Sequence, residues 1–123
     1  MADPRRRIGQ RGEDYAASCL AAQGYTVLAR NWRCRAGELD LVAEKDGALV
    51  FVEVRTRRGD RLGTPEESIT PAKRARLIAT AQTYLDEHGQ TDRDWRIDVV
   101  AVEIGLRGEV KRCEVFENAI EDM

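Results

Sequence analysis

Two carboxylates set in strand-like sequence are the residues of this chain best placed to do chemistry. Asp40 lies in Gly37-Glu38-Leu39-Asp40-Leu41-Val42-Ala43 and Glu53 in Leu49-Val50-Phe51-Val52-Glu53-Val54-Arg55, two apolar runs that meet at Asp46-Gly47. An Asp-Gly pair between apolar runs signals a two-residue type I′ hairpin, because both central residues must take positive φ. That turn pairs Lys45 with Ala48 and, followed along the strands, sets Asp40 opposite Glu53 and Glu38 opposite Arg55. Opposed residues hold their Cβ atoms about 4.5–5.5 Å apart, and like charges there repel. A one-residue slip would set Asp40 against Val52 and Glu53 against Leu39. It would mix charge into the apolar face of Leu39, Leu41, Ala43, Val50, Val52 and Val54, so alternation favours the register that joins the acids.

Two facing acids call for a cation. Oxygen-only ligands select hard ions, which points to Mg²⁺ or Mn²⁺ rather than zinc. Mg²⁺ is commonly held by one or two carboxylates, with waters and substrate phosphates completing its shell. The pattern D-x12-E-x-R puts Glu53 and Arg55 on one side of one strand, and an arginine-rich stretch follows. These residues suit metal-assisted phosphodiester hydrolysis. The competing reading is structural, with Glu38–Arg55 a cross-strand ion pair and the two acids bonded to nearby arginines.

The elements that must position these acids are legible in outline. A helix is expected over 8–23, with Gly24 as its cap, and a short β-branched strand over 25–31. Hairpin strands follow at 37–45 and 48–56, then a polar loop over 56–69. Thr70-Pro71 starts a second helix, with Thr70 as N-cap and proline at the first helical position, and Gly89 ends it after His88. Residues 95–104 read as a buried strand and 109–116 as an edge strand. The fold class is therefore α/β, in the order α-β-β-β-α-β-β. The second helix is a crossover to a strand lying parallel to a central one, in a mixed sheet flanked by helices.

At 123 residues the chain reads as a single domain over 1–123, with 1–8 a flexible basic arm and 117–123 a flexible acidic tail. No apolar run reaches membrane-spanning length and no signal-peptide core follows the first residues, so no membrane partner is expected. Cys19, Cys34 and Cys113 form no C-x-x-C pair, which fits a reducing cytoplasm and argues against a disulfide framework or a structural zinc site. His88 is the only histidine, so chemistry built on several imidazoles is poorly supported. The net charge of −2 hides an asymmetry: residues 1–80 carry 15 basic against 11 acidic side chains, residues 81–123 carry 5 against 11. All but Lys45, Lys73 and Lys111 of the basic residues are arginine, whose planar fork suits phosphate.

The chain resembles the YraN family, small bacterial proteins of the restriction-endonuclease-like superfamily with its PD-(D/E)xK signature, which includes archaeal Holliday-junction resolvases. The resemblance rests on Gly9-Gln10-Arg11-Gly12-Glu13, on residues 37–43, on residues 50–58, on Lys73 with Tyr84-Leu85, and on residues 96–102. It implies a restriction-endonuclease-like fold and a nuclease-like protein acting on DNA, including branched or damaged DNA. Asp40 resembles the first signature acid and Glu53 the second, both metal ligands. Glu13 resembles the helical acid that completes the metal shell in many of these nucleases; as a bare residue it is equally a first-turn acid favoured by the helix dipole. Arg55 stands where the signature has lysine. It stays protonated and is no general base, but it can orient water or stabilise a charged phosphorane. A homodimer is expected by analogy with the resolvases alone.

Arg57, Arg58 and Arg61, with Arg74 and Arg76 across the loop, are expected to grip phosphates without reading sequence. Asp98 breaks an apolar strand and is read as an acid with a local partner. Trp32, Trp95 and Cys19 are read as packing residues, and His88 as a helix C-terminal charge. The expected function is Mg²⁺-dependent cleavage of DNA. The alternative is a catalytically inactive nucleic-acid-binding module on the same fold, which the arginine at 55 would suit.

Overall fold

The computed structural model describes residues 4–59 and 63–120; Arg61 lies outside them. The elements are α1 (Pro4–Ala22), β1 (Thr26–Cys34), β2 (Gly37–Lys45), β3 (Ala48–Arg58), a 3-10 turn (Glu66–Ser68), α2 (Pro71–Glu87), β4 (Trp95–Ile104) and β5 (Val110–Ile120). The five strands form one mixed sheet in sequence order, antiparallel throughout except for the parallel β3–β4 pair joined by α2. This is the α-β-β-β-α-β-β order expected from periodicity.

A layer of side chains lies on each face of the sheet. Ala16 and Leu20 of α1 pack with Leu41, Ala43, Val50, Val52, Val100 and Val102. Leu77, Ala81, Tyr84 and Leu85 of α2 pack with Leu39, Val42, Leu49, Phe51, Ile97 and Val99 on the other face. β3 is buried on both faces, which is why it reads as a continuous apolar run. Its residues alternate, Val50 and Val52 toward α1, Leu49 and Phe51 toward α2, and Glu53 follows next in the α2-facing series.

Four boundaries move outward from the sequence reading: β1 runs to Cys34, β3 to Arg58, and the other two fall on the expected arm and tail. α1 starts at Pro4, so residues 4–8 of the expected basic arm are helical. Proline is favoured in the first helical turn, and arginine is a good helix former. β5 runs to Ile120, so residues 117–120 of the expected tail are strand. The backbone N–H of Asn118 bonds to Asp98 Oδ1 at 2.8 Å, which ties that end of β5 to the neighbouring strand.

The hairpin turn is as expected: Asp46 and Gly47 have φ of 51° and 83°, and Lys45 pairs with Ala48. The ladder runs to Leu41–Val52 and stops there, although β2 and β3 both continue. Neither of the expected ladder pairs beyond it, Asp40–Glu53 or Glu38–Arg55, forms, because β2 leaves β3 and stays with β1 as far as Cys34–Gly37. The departure has a local cause. Asn31, between the pairs Arg30–Leu41 and Trp32–Leu39, has φ of 54°. This left-handed residue rotates the β1–β2 ribbon. Leu41 therefore packs toward α1 while Leu39, two residues earlier, packs toward α2. The expected shared face of Leu39 with Leu41 and Ala43 is corrected accordingly. The sheet forks at Asp40.

Candidate functional site

The fork creates an unpaired rung, and Asp40 fills it. In this register Leu39–Val54 would be the next hydrogen-bonded pair. Asp40 Oδ2 instead accepts the Val54 N–H at 2.8 Å. The carboxyl of Asp40 comes to lie against that of Glu53, close enough to share a proton. Burial, and then that contact, push Asp40 up from the usual carboxylate range to about 8; the Val54 N–H and Lys73 pull the other way.

Glu53 is 3% exposed, on the strand buried on both faces. Its Oε2 lies 3.2 Å from Lys73 Nζ, yet that oxygen has no hydrogen-bond partner. The ammonium is in ion-pair range but out of line for a bond. An orphaned buried carboxylate oxygen is rare and calls for an explanation.

Lys73 comes from the first turn of α2, where its own N–H is capped by Thr70 Oγ1 at 3.1 Å and Pro71 occupies the first helical position. Its Nζ reaches Glu53 from the layer above the sheet. Sequence reasoning gave this residue no role. The available signal was that Lys73 is one of three lysines among many arginines, placed at the start of the helix that must cross over β3.

Glu13 approaches from α1. Gly12 makes this possible: a Cβ there would stand 2.0 Å from Thr56 Oγ1, so only glycine lets α1 come so close to β3. Partial burial and the nearby charge of Asp40 hold Glu13 above the usual carboxylate range, opposed by Arg30. With its amide oriented as the surrounding acids require, Asn31 donates to Glu13 Oε1 at 2.9 Å and to Glu38 Oε1 at 3.1 Å. Glu38 also lies 3.6 Å from Arg33 Nε. The residue that forks the sheet thus ties two outer acids together beside the inner pair.

Among the described residues, no group of three or more His, Cys, Asp and Glu is placed to hold a metal ion. Two carboxylates, one with an orphaned oxygen, nevertheless fit a hard divalent ion that draws its remaining ligands from water and phosphate.

The expected arginines are dispersed. Arg55 Nε donates to Ser68 Oγ at 2.9 Å, and that hydroxyl bonds to the Pro65 carbonyl, so Arg55 braces β3 against the 3-10 turn. Arg58 Nη2 donates to the Leu106 carbonyl at 3.0 Å. Arg57 Nη2 lies near Gly63. Arg74 borders a shallow apolar cleft with Glu66, Ile69 and Phe116. Of the four expected phosphate contacts within the described residues, Arg57, Arg58, Arg74 and Arg76, Arg76 alone lines the cleft next to the acids, together with Lys73 and Glu38. Asp98 has the local partners expected: it is fully buried and accepts from Tyr25 Oη at 2.8 Å, Arg96 Nε at 2.9 Å and the Asn118 N–H. The three cysteines are free thiols. No helix among the described residues is long and apolar enough to cross a membrane.

Comparison with known proteins agrees with the resemblance drawn from the motifs. A UPF0102 protein of Roseiflexus castenholzii is 54% identical over 123 residues, covering 99% of each chain. One from Symbiobacterium thermophilum is 51% identical over 114 residues, 93% of this chain and 96% of its own. One from Pelotomaculum thermopropionicum is 50% identical over 119 residues, 97% and 99%. The model of the family described as "Uncharacterised protein family UPF0102" matches residues 12–102, from Gly12 in α1 to Val102 in β4. The chain belongs to the UPF0102, or YraN, family.

Proposed function

We propose that this protein is a Mg²⁺- or Mn²⁺-dependent nuclease acting on DNA. The observation that carries the reading is the buried Asp40–Glu53 pair at the sheet fork, with an orphaned Glu53 oxygen and Lys73 Nζ at 3.2 Å. Burying two acids together is unfavourable for folding, and strain of that kind is characteristic of functional sites.

Asp40 and Glu53 would hold the cation, with Glu13 as the outer acid. When bound, the cation lowers the pKa of an attacking water and neutralises charge developing on the phosphate. Lys73 takes the role that the signature lysine has in the superfamily. It reaches the site from α2 rather than from the strand position held by Arg55, and its ammonium orients the water and opposes negative charge on the phosphorane. Arg55 holds the 3-10 turn in place beside β3. The Val54 N–H fixes one oxygen of Asp40, so the carboxylate enters the reaction already oriented.

A second reading, a DNA-binding module that does not cut, draws on one observation: Lys73 already supplies a positive charge to Glu53. Supercoiled, linear and four-way-junction DNA incubated with Mg²⁺, Mn²⁺ or chelator separates the two. Metal-dependent cutting lost in Asp40→Asn, Glu53→Gln and Lys73→Met supports the nuclease. Salt-sensitive binding without cutting under either metal refutes it in favour of the second reading.

A further inference from the structure

Five arginines of the described structure are paired with carboxylates: Arg30 with Asp14, Arg33 with Glu38, Arg93 with Glu44, Arg96 with Asp98, and Arg112 with Glu66 and Glu114. Arg35 and Arg76 are different. Among the described residues neither side chain has a hydrogen-bond or ion-pair partner, both are exposed, and both line the same cleft of about 340 Å³. Arg35 comes from the turn between β1 and β2, and Arg76 lies one helical turn beyond Lys73 on α2.

The floor of the cleft is Gly37 against Thr80. A Cβ at Gly37 would meet Thr80 Oγ1 at 2.8 Å, so the absence of a side chain lets the β1–β2 turn close on α2 and brings Arg35 and Arg76 to one cleft. Glu38 and Lys73 form the wall toward the acid pair. Lys73 belongs to both places, lining the cleft while its Nζ reaches Glu53.

We infer that Arg35 and Arg76 form a phosphate clamp that receives a backbone phosphodiester next to the one cut at Asp40 and Glu53. The inference rests on the nuclease reading for the chemistry at the acids, but the clamp itself requires only binding. Two forked guanidinium groups match the paired oxygens of a phosphodiester. They also supply positive charge where the neighbouring acids repel the ligand. The strand then runs across the β1–β2 turn and the first half of α2. Of the arginines expected from the sequence to grip phosphate, Arg76 lies on this path, and the arginine-rich end of β3 lies off it. The contact is to backbone, so it positions the strand and reads no sequence.

The test is equilibrium binding of a fluorescein-labelled duplex to the full chain in chelator, read by anisotropy over a salt series. Arg35→Ala and Arg76→Ala are each expected to lower the slope of log affinity against log salt by about 0.9, and the double variant by about twice that. Arg107→Ala, an exposed arginine on the β4–β5 turn, serves as the control and is expected to keep the wild-type slope. Both clamp residues are exposed and without partners, so unchanged thermal unfolding is expected alongside the lost slope. Inorganic phosphate forms a second arm. Protection of the wild-type cleft by phosphate, with no change in the duplex salt slope of the double variant, would assign the pair to a free anion and overturn the proposal. A duplex slope unchanged in the double variant while wild type still cuts DNA also overturns the clamp and leaves the nuclease intact. A lowered slope in a protein that never cuts supports the clamp and refutes the nuclease. Absence of any duplex binding by wild type overturns both.

Discussion

Removing the charge of Asp40 should stabilise the metal-free protein, although Asp40 accepts a hydrogen bond from the backbone. Asparagine keeps the size of the side chain and an oxygen for the Val54 N–H, and its amide can donate to the Glu53 carboxylate where Asp40 meets it. The folded-state pKa of Asp40 is raised from 3.8 to about 8, so the unfolded chain releases its proton at lower pH than the folded one. The stability associated with Asp40 is then fully present below about pH 4 and is lost as pH rises through about 8. At about pH 7 the unfolded state is favoured by ionisation by about 4 kcal/mol, at about 1.4 kcal/mol per pKa unit. The variant escapes this penalty but gives up the attraction of the ionised pair to Lys73. A net gain of about 1–3 kcal/mol is expected near neutral pH. Urea unfolding of wild type and Asp40→Asn in chelator at several pH values measures it, with midpoints compared at equal slope. The two proteins should have similar stability near pH 4, and the variant's advantage should grow to a plateau by about pH 8. A difference independent of pH, or a variant less stable than wild type at about pH 8, would refute the reasoning.

Mg²⁺ should reverse that ranking. A cation present at about 100 times its dissociation constant stabilises wild type by about 2.7 kcal/mol, and a thermal-shift series should show this gain lost in Glu53→Gln and Asp40→Asn. The shift should be larger at about pH 8 than at about pH 6, because the proton on the acid pair competes with the ion. Gly12→Ala should destabilise by about 1–3 kcal/mol by denaturant unfolding, since its Cβ would lie 2.0 Å from Thr56 Oγ1. Asp98→Ala should lower stability by about 3–5 kcal/mol in the same assay. It leaves Tyr25 Oη, Arg96 and the Asn118 N–H without their buried acceptor. Asn31→Gly keeps the backbone's access to positive φ and removes the amide between Glu13 and Glu38. It should therefore impair cleavage measured with supercoiled DNA more than it lowers thermal stability.

The hairpin and its acid pair were legible in the sequence because their determinants are local. Asp46-Gly47 sets the turn, side-chain alternation sets the register, and together they bring Asp40 to Glu53. The fork was not legible, because it depends on one residue of another strand, Asn31, adopting positive φ beside Asp40. Asparagine tolerates that conformation, but nothing in the neighbouring sequence requires it. Lys73 was hidden for a different reason. Its contact with Glu53 depends on how a crossover helix sits on the sheet, which the helix's own periodicity does not specify. The arginines show the opposite error. Their clustering near residue 57 suggested one anion-binding loop, while the fold sends Arg55 to Ser68, Arg58 to a carbonyl and Arg74 to a separate cleft. The clamp candidate Arg35 lies on a turn where a lone arginine attracted no notice.

The Val54 amide has a property that follows from the fork. Its hydrogen bond goes to one carboxylate of the site rather than to a neighbouring strand, although it sits on a central strand of the sheet. Its exchange with solvent deuterium therefore follows the movements of that single side chain, while the amides of Val50 and Val52 next to it wait on opening of the sheet. One backbone proton is a built-in reporter of whether the acid pair is clenched or loose, readable without substrate, label or turnover.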